Sequence, residues 1–204
     1  MPGTIKLTLV NQSSDTNSSQ VVIFQKNEAV SYEEMAVAWK VIETHGSGYS
    51  HPFTFSPIPS IAASDSYGNF TPQLEATTGQ QFSVQPTAAG VRVVATGAAS
   101  AAEDIELVNG LTQGAINACI YRDGQLLATM TGIVPGQKSV FRFNPAIWIG
   151  VASEIIEGQV MNSAIISNIN TQLSLLGITE ANIIMSGGGP DHPYTFTLEN
   201  AVKG

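Results

Sequence analysis

Apolar and polar positions alternate with a period of two along most of the chain. In Thr4–Val10 (TIKLTLV), Ile5, Leu7 and Leu9 alternate with Lys6 and Thr8, which places the apolar set on one face of a strand. Val21–Gln25 (VVIFQ) reads as a second strand, and the polar run Asn11 to Gln20 (NQSSDTNSSQ) between them reads as a loop with nothing to bury. The stretch YEEMAVAWKVIETH contains Glu, Met and Ala, which favour helix. Its Met35, Val37, Trp39 and Val41 nevertheless recur at two-residue spacing, so the pattern predicts a long strand.

Further strands are predicted at His51–Phe55, Ser60–Ser66, Gln73–Ala76, Gln81–Gln85, Val91–Ala95, Asp104–Val108, Ala115–Tyr121, Gln125–Thr131, Lys138–Phe143, Ile147–Ala152, Met161–Ile166, Gln172–Leu176, Ile183–Ser186 and Tyr194–Leu198. Turn residues separate them, and in NACIYRDGQLLATM the pair Asp123-Gly124 between two alternating runs predicts a type I′ hairpin, whose central residues both need positive φ. This succession predicts an all-β fold: one domain spanning 1–204, built as a two-sheet sandwich of the jelly-roll or Greek-key kind, with few or no helices.

Composition changes the picture mainly at the surface. Hydrophobic residues make up 43% of the 204 positions and charged residues only 12%, about half the usual charged share. The exterior is therefore built largely from Ser, Thr, Asn, Gln and Gly, which repel a second copy weakly, and the expected partner is the protein itself in a homo-oligomer or larger assembly. Acidic residues outnumber basic ones 16 to 8, for a formal net charge of −8, and no basic cluster occurs. This argues against nucleic acid, whose phosphates need several Lys or Arg on one face, and against docking on anionic lipid. With Cys119 as the one cysteine there is no disulfide framework, and its place on an alternating strand predicts a small buried side chain. No run reaches the roughly eighteen apolar residues of a spanning helix, and MPGTIKLTLVNQ lacks the charged and apolar regions of a secretory signal.

Candidate chemistry is sparse. SHPFTFSP from Ser50 and DHPYTFTL from Asp191 share the word His-Pro-aromatic-Thr-Phe and hold two of the three histidines. His45, His51 and His192, with Asp191 or Asp65, are the residue types that hold zinc or non-haem iron. The competing explanation is that Pro starts a strand, where its missing N–H breaks no ladder bond. Asp65 and the pair Glu103-Asp104 lie near turns but do not match a spaced calcium loop, so turn-forming Asp is expected. SGGGP (186–190) lacks the Lys and helix of a phosphate loop and reads as a turn. Trp39 and Trp148 occupy apolar phases and are expected in the core. Tyr49 and Tyr67 lie in Gly-containing loops, so a ligand face, if built from loops at one end of the sandwich, would gather Tyr49, Tyr67, Asp65 and Asn69.

Taken together, IKLTLVNQSS, VVIFQKN, AVAWKVI, HPFTF, ASDSYGN, GAINACIYRDGQLLA and GIVPGQKSVFRFNPAIWIGVAS resemble a group of small bacterial proteins that carry the label aromatic ring-opening dioxygenase. For an extradiol enzyme, that resemblance implies an iron site of two His and one carboxylate with a nearby acid or base. The residues themselves favour a non-catalytic β-sandwich without a cofactor, acting through its surfaces by self-association or ligand binding. A small metal-dependent enzyme and a carbohydrate-binding module are the alternatives.

Overall fold

The structure, a computed structural model, describes residues 3–14, 19–30, 36–44 and 46–204. Among these the chain is all-β and of sandwich type, as the periodicity predicts. Sixteen strands assemble into four sheets of four. The first sheet runs β16 (Thr195–Lys203), β15 (Ile178–Ser186), β1 (Ile5–Asn11), β4 (Ser50–Phe55). The second runs β14 (Thr171–Ser174), β13 (Ala146–Ala152), β2 (Gln20–Phe24), β3 (Lys40–Glu43). The third runs β11 (Gln125–Ile133), β10 (Ile116–Arg122), β5 (Ser60–Ser64), β6 (Leu74–Glu75), and the fourth β12 (Lys138–Phe141), β9 (Ile105–Asn109), β7 (Gln80–Thr87), β8 (Gly90–Ala98).

The central pairs are nested: β1 lies beside β15, β2 beside β13, β5 beside β10, and β7 beside β9. The first half of the chain thus folds back along the second, and strands from near the two termini share one sheet. Two of these pairs, β1 with β15 and β7 with β9, are parallel.

Inward side chains from all four sheets join one apolar cluster, among them Leu7, Leu9, Ile23, Ile147, Ile61, Ile120, Phe82 and Leu107. A smaller cluster covers the opposite face of β2, where Val22 and Phe24 meet Ala36, Ala38, Ile155, Met161, Ile166 and Ile169. With both faces covered, β2 carries the unbroken run VVIF rather than an alternation. The Asp123-Gly124 hairpin forms as expected, with Arg122 paired to Gln125 and φ of 50° and 79° at the two turn residues.

Four local expectations are corrected. Met161–Ile166 is not a strand; the helix α1 (Ser163–Asn168) replaces it. Asn162 caps this helix by accepting from the Ile165 N–H, and Ile166 and Ile169 bury against β2. The long strand through YEEMAVAWKVIETH is only Lys40–Glu43 within the described residues; 31–35 and 45 lie outside them. Ala36 to Trp39 are all buried, and the phase shifts after them, since Trp39 and Ile42 join the large cluster while Val41 packs on the smaller one; the partner changes as well. Residues 36 and 38 exchange backbone hydrogen bonds with 158–161, whereas β3 pairs with β2. The polar run after β1 is not all surface loop either: Asn11 and Ser13 are buried, with Asn11 Oδ1 accepting from Ser13 N and Oγ and Asn11 Nδ2 donating to Gly46 O. The two tryptophans diverge as well. Trp39 is fully buried, whereas Trp148 is half-buried beside the smaller cluster, with Lys26 Nζ 3.9 Å above its ring.

The fourth sheet is held by a buried charge. Glu106 on β9 is wholly buried and accepts from Lys138 Nζ on β12 at 2.6 Å, Gln81 Nε2 on β7 at 2.8 Å and Ser100 N at 3.2 Å. Burial alone would raise its pKa, but these donors more than offset that and hold it at about 2. A carboxyl depressed in the folded state stabilises above its unfolded value and loses that stability as pH falls through the folded one. Acid titration of the wild-type chain is therefore expected to cost about 2 to 3 kcal/mol between roughly pH 4.5 and pH 2, and Glu106→Gln to flatten this limb. Urea unfolding at stepped pH measures both.

Candidate functional site

A concavity lined by described residues lies at one end of the sandwich. It opens where β1 and β15 begin and where β4, β10, β14 and β16 end, and its volume is about 520 Å³. Ile5, Phe55, Pro57, Phe143, Leu175 and Ile178 make much of its wall. Gln25 braces the rear. Its Nε2 donates to the Asn144 and Ala146 carbonyls at 2.9 and 2.7 Å, fixing the backbone on either side of the lining residue Pro145.

One cation enters this apolar wall. Ala118, Ile120 and Arg122 share the inward face of β10, so the strand places a guanidinium where its pattern calls for a hydrophobe. Arg122 is only 4% exposed. Its Cζ sits 4.2 Å from the centroid of the Phe55 ring, and its Nη1 donates to the Ser56 carbonyl. Nε makes no hydrogen bond, and no ion pair to Arg122 occurs among the described residues. The nearby carboxylate, Asp123, is occupied elsewhere, with Oδ2 accepting from Ser56 N at 3.0 Å and Oδ1 from Ser56 Oγ. Burial pushes Arg122 down to about 10, against the pull of Asp123. At neutral pH it is still a cation, desolvated and short of acceptors.

The residues singled out from sequence lie away from this cleft. Ile5 pairs with Phe55 at the cleft end of β1 and β4, whereas Leu9 pairs with His51 four residues along, about 13 Å up the strand. Tyr49 lies in the loop before β4, with its ring 6.4 Å from that of His51. His192 precedes β16 in a turn closed by its N–H on the Gly189 carbonyl, and Asp191 is in the same turn. β4 and β16 are the two outer strands of the first sheet. His51 thus lies on one outer strand and His192 in the turn before the other, and His45 lies outside the described residues. Among the described residues no group of three His, Cys, Asp or Glu is clustered as a metal site would need.

Asp65 organises its own turn. It accepts from Tyr67 N and Asn69 N at 2.9 Å and from Asn69 Nδ2 at 2.8 Å, and the Asn69 side chain is the main cause of its lowered pKa. Tyr67 projects from that turn, 88% exposed. Cys119 is buried beside Thr129, and burial raises its thiol pKa. No protein-family model, curated protein or solved structure matches the chain.

Sequence reasoning passed over Arg122 because a single Arg beside a turn looks like surface. The available signal was its phase, two residues after Ile120 and four after Ala118.

The SGGGP stretch is a packed turn. Gly187 has φ of 82° and Gly188 the same, and a Cβ on Gly187 would run into the Pro193 carbonyl. Gly187→Ala is expected to cost about 2 kcal/mol or more, through left-handed strain plus the clash. Gly136→Ala, at φ of 80° with nothing within 4 Å of an added Cβ, is expected to cost about 1 kcal/mol from strain alone. Thermal unfolding of the two variants measures the difference.

Proposed function

We propose that this chain is a non-catalytic binding protein whose ligand occupies the apolar cleft at the open ends of β1, β4 and β15. The observation that supports this is the cleft itself: about 520 Å³ of space walled by Ile5, Phe55, Phe143, Leu175 and Ile178. That falls within the range of roughly 300 to 1,000 Å³ typical of small-molecule sites. Its walls come from several strands of a sheet core, so the shape exists before the ligand arrives and little ordering opposes binding. 1-Octanol, a neutral apolar probe, is expected to bind with one-to-one stoichiometry in titration calorimetry, and Ile178→Trp to weaken it by roughly tenfold or more by filling the space. Absent saturable binding, or equal binding by the blocked variant, would overturn this reading.

Self-association is supported by a separate feature. β8 is an outer strand of nine residues with Arg92 as its only charge, and Val91 is 45% exposed. Outer strands that stay monomeric are usually blunted by charge or proline. Sedimentation velocity is expected to show a concentration-dependent oligomer that Ala95→Lys weakens. A strict monomer at high concentration is the contrary result.

A further inference from the structure

The cleft wall is mostly apolar, Arg122 is the one charged side chain in its lining, and the arrangement of that guanidinium is informative. Of its donors, Nη1 is committed to the Ser56 carbonyl. Nε is buried without a partner, and Nη2 takes part in none of the hydrogen bonds among the described residues. In a planar guanidinium, Nε–H and one Nη2–H point the same way and form the fork that accepts a carboxylate through two parallel hydrogen bonds. The protein thus engages the group through Nη1 and supplies no acceptor to its Nε–Nη2 edge. A buried cation without an acceptor is costly to fold around. Among the described residues the other two buried charged side chains, Asp104 and Glu106, are paired, with Arg142 at 2.7 Å and Lys138 at 2.6 Å.

We propose, building on the reading of the cleft as a ligand site, that the ligand is an amphipathic monocarboxylate: its head docks on the Nε–Nη2 edge of Arg122 and its apolar body lies against Phe55, Leu175 and Ile178. A carboxylate suits the site better than a phosphate monoester. One cation neutralises one negative charge, whereas a phosphate monoester carries about −1.5 to −2 at neutral pH, with Asp123 adjacent to repel the excess. Asn144 and Thr179, the uncharged polar side chains in the lining, bring no further positive charge. The aliphatic wall accounts for the body of the ligand, and the buried fork for its head.

Titration calorimetry of the full chain with octanoate, 1-octanol, octylammonium and octyl phosphate at about pH 7.5 tests this, because the four probes share one body and differ only in the head. At that pH octanoate is ionised and Arg122 protonated. Octanoate is expected to bind roughly tenfold or more tighter than 1-octanol, octylammonium most weakly, and octyl phosphate no tighter than octanoate. Arg122→Met is expected to abolish the preference for octanoate over 1-octanol. Equal binding of octanoate and 1-octanol by the wild-type chain overturns the carboxylate assignment and leaves the cleft reading standing. Failure of all four to bind overturns both. Octyl phosphate binding tightest overturns the choice of head group, and an octanoate preference that survives Arg122→Met overturns the role of that residue. Should Arg122→Met fail to fold, the wild-type series still decides the assignment, and Ile178→Trp locates the site by losing octanoate.

Discussion

The end of the sandwich that carries the cleft depends on what gathers around Arg122. Its carbonyl accepts the Trp39 indole N–H at 2.9 Å, its guanidinium lies over Phe55 and donates to Ser56, and the next residue, Asp123, holds Ser56 N. Trp39 meets Phe53 and Phe55 edge-on at centroid distances of 6.3 and 5.8 Å. These contacts join the hairpin tip of the third sheet, the outer strand of the first, and the segment leading into β3 of the second. A fully buried tryptophan contributes on the order of 3 kcal/mol through area alone, but only if its N–H finds an acceptor. The tight Asp123-Gly124 turn fixes where that acceptor sits. Local turn geometry therefore decides whether a long-range aromatic cluster can close.

The same constraint explains why a desolvated cation is tolerated. Phe55 presents a ring face to the guanidinium, an attraction of about 0.5 to 2 kcal/mol, and the Ser56 carbonyl takes one donor. Neither contact neutralises the charge. Glu106 shows the contrast: three donors converge on its carboxylate and its own sheet completes the shell. In a chain with so few charges, spending a buried one on an incomplete shell is difficult to explain as stabilisation, because a hydrophobe of similar length would fill the space at lower cost. Geometry that withholds the last acceptor from inside the protein favours an acceptor from outside it.

Strand existence was legible from sequence because burial on one face of a pleated strand imposes period two directly, as in β1, β4 and β10. The Asp-Gly hairpin was legible because positive φ at two successive positions restricts residue type. What escaped were features set by which element lies opposite. The segment around Val37 changes partner from 158–161 to β2, and its burial changes phase with the partner, a switch of which a pattern along one strand carries no record. α1 was missed because a six-residue helix offers barely two turns of periodicity; the asparagine cap and Ile165, Ile166 and Ile169 at helical spacing were its signal. The cleft was illegible for a further reason. Its lining comes from residues 3, 5, 55, 57, 122, 143–145, 175–179 and 204, and nothing short of the fold brings these together.

The twin His-Pro-aromatic-Thr-Phe words acquire a plain mechanical meaning. The first word lies within β4, an outer strand of the first sheet, where proline is admitted because an outward-facing N–H has no ladder bond to lose, and the second runs into β16, the other outer strand. In each word the later phenylalanine, Phe55 or Phe196, turns into the core while the threonine before it faces outward. Yet the words do not sit alike. His51 and Pro52 lie inside β4, whereas His192 and Pro193 precede β16 in the turn that Gly187 and Gly188 make room for. One spelling therefore serves two backbone settings, a proline within an outer strand and a proline in the turn that leads into one.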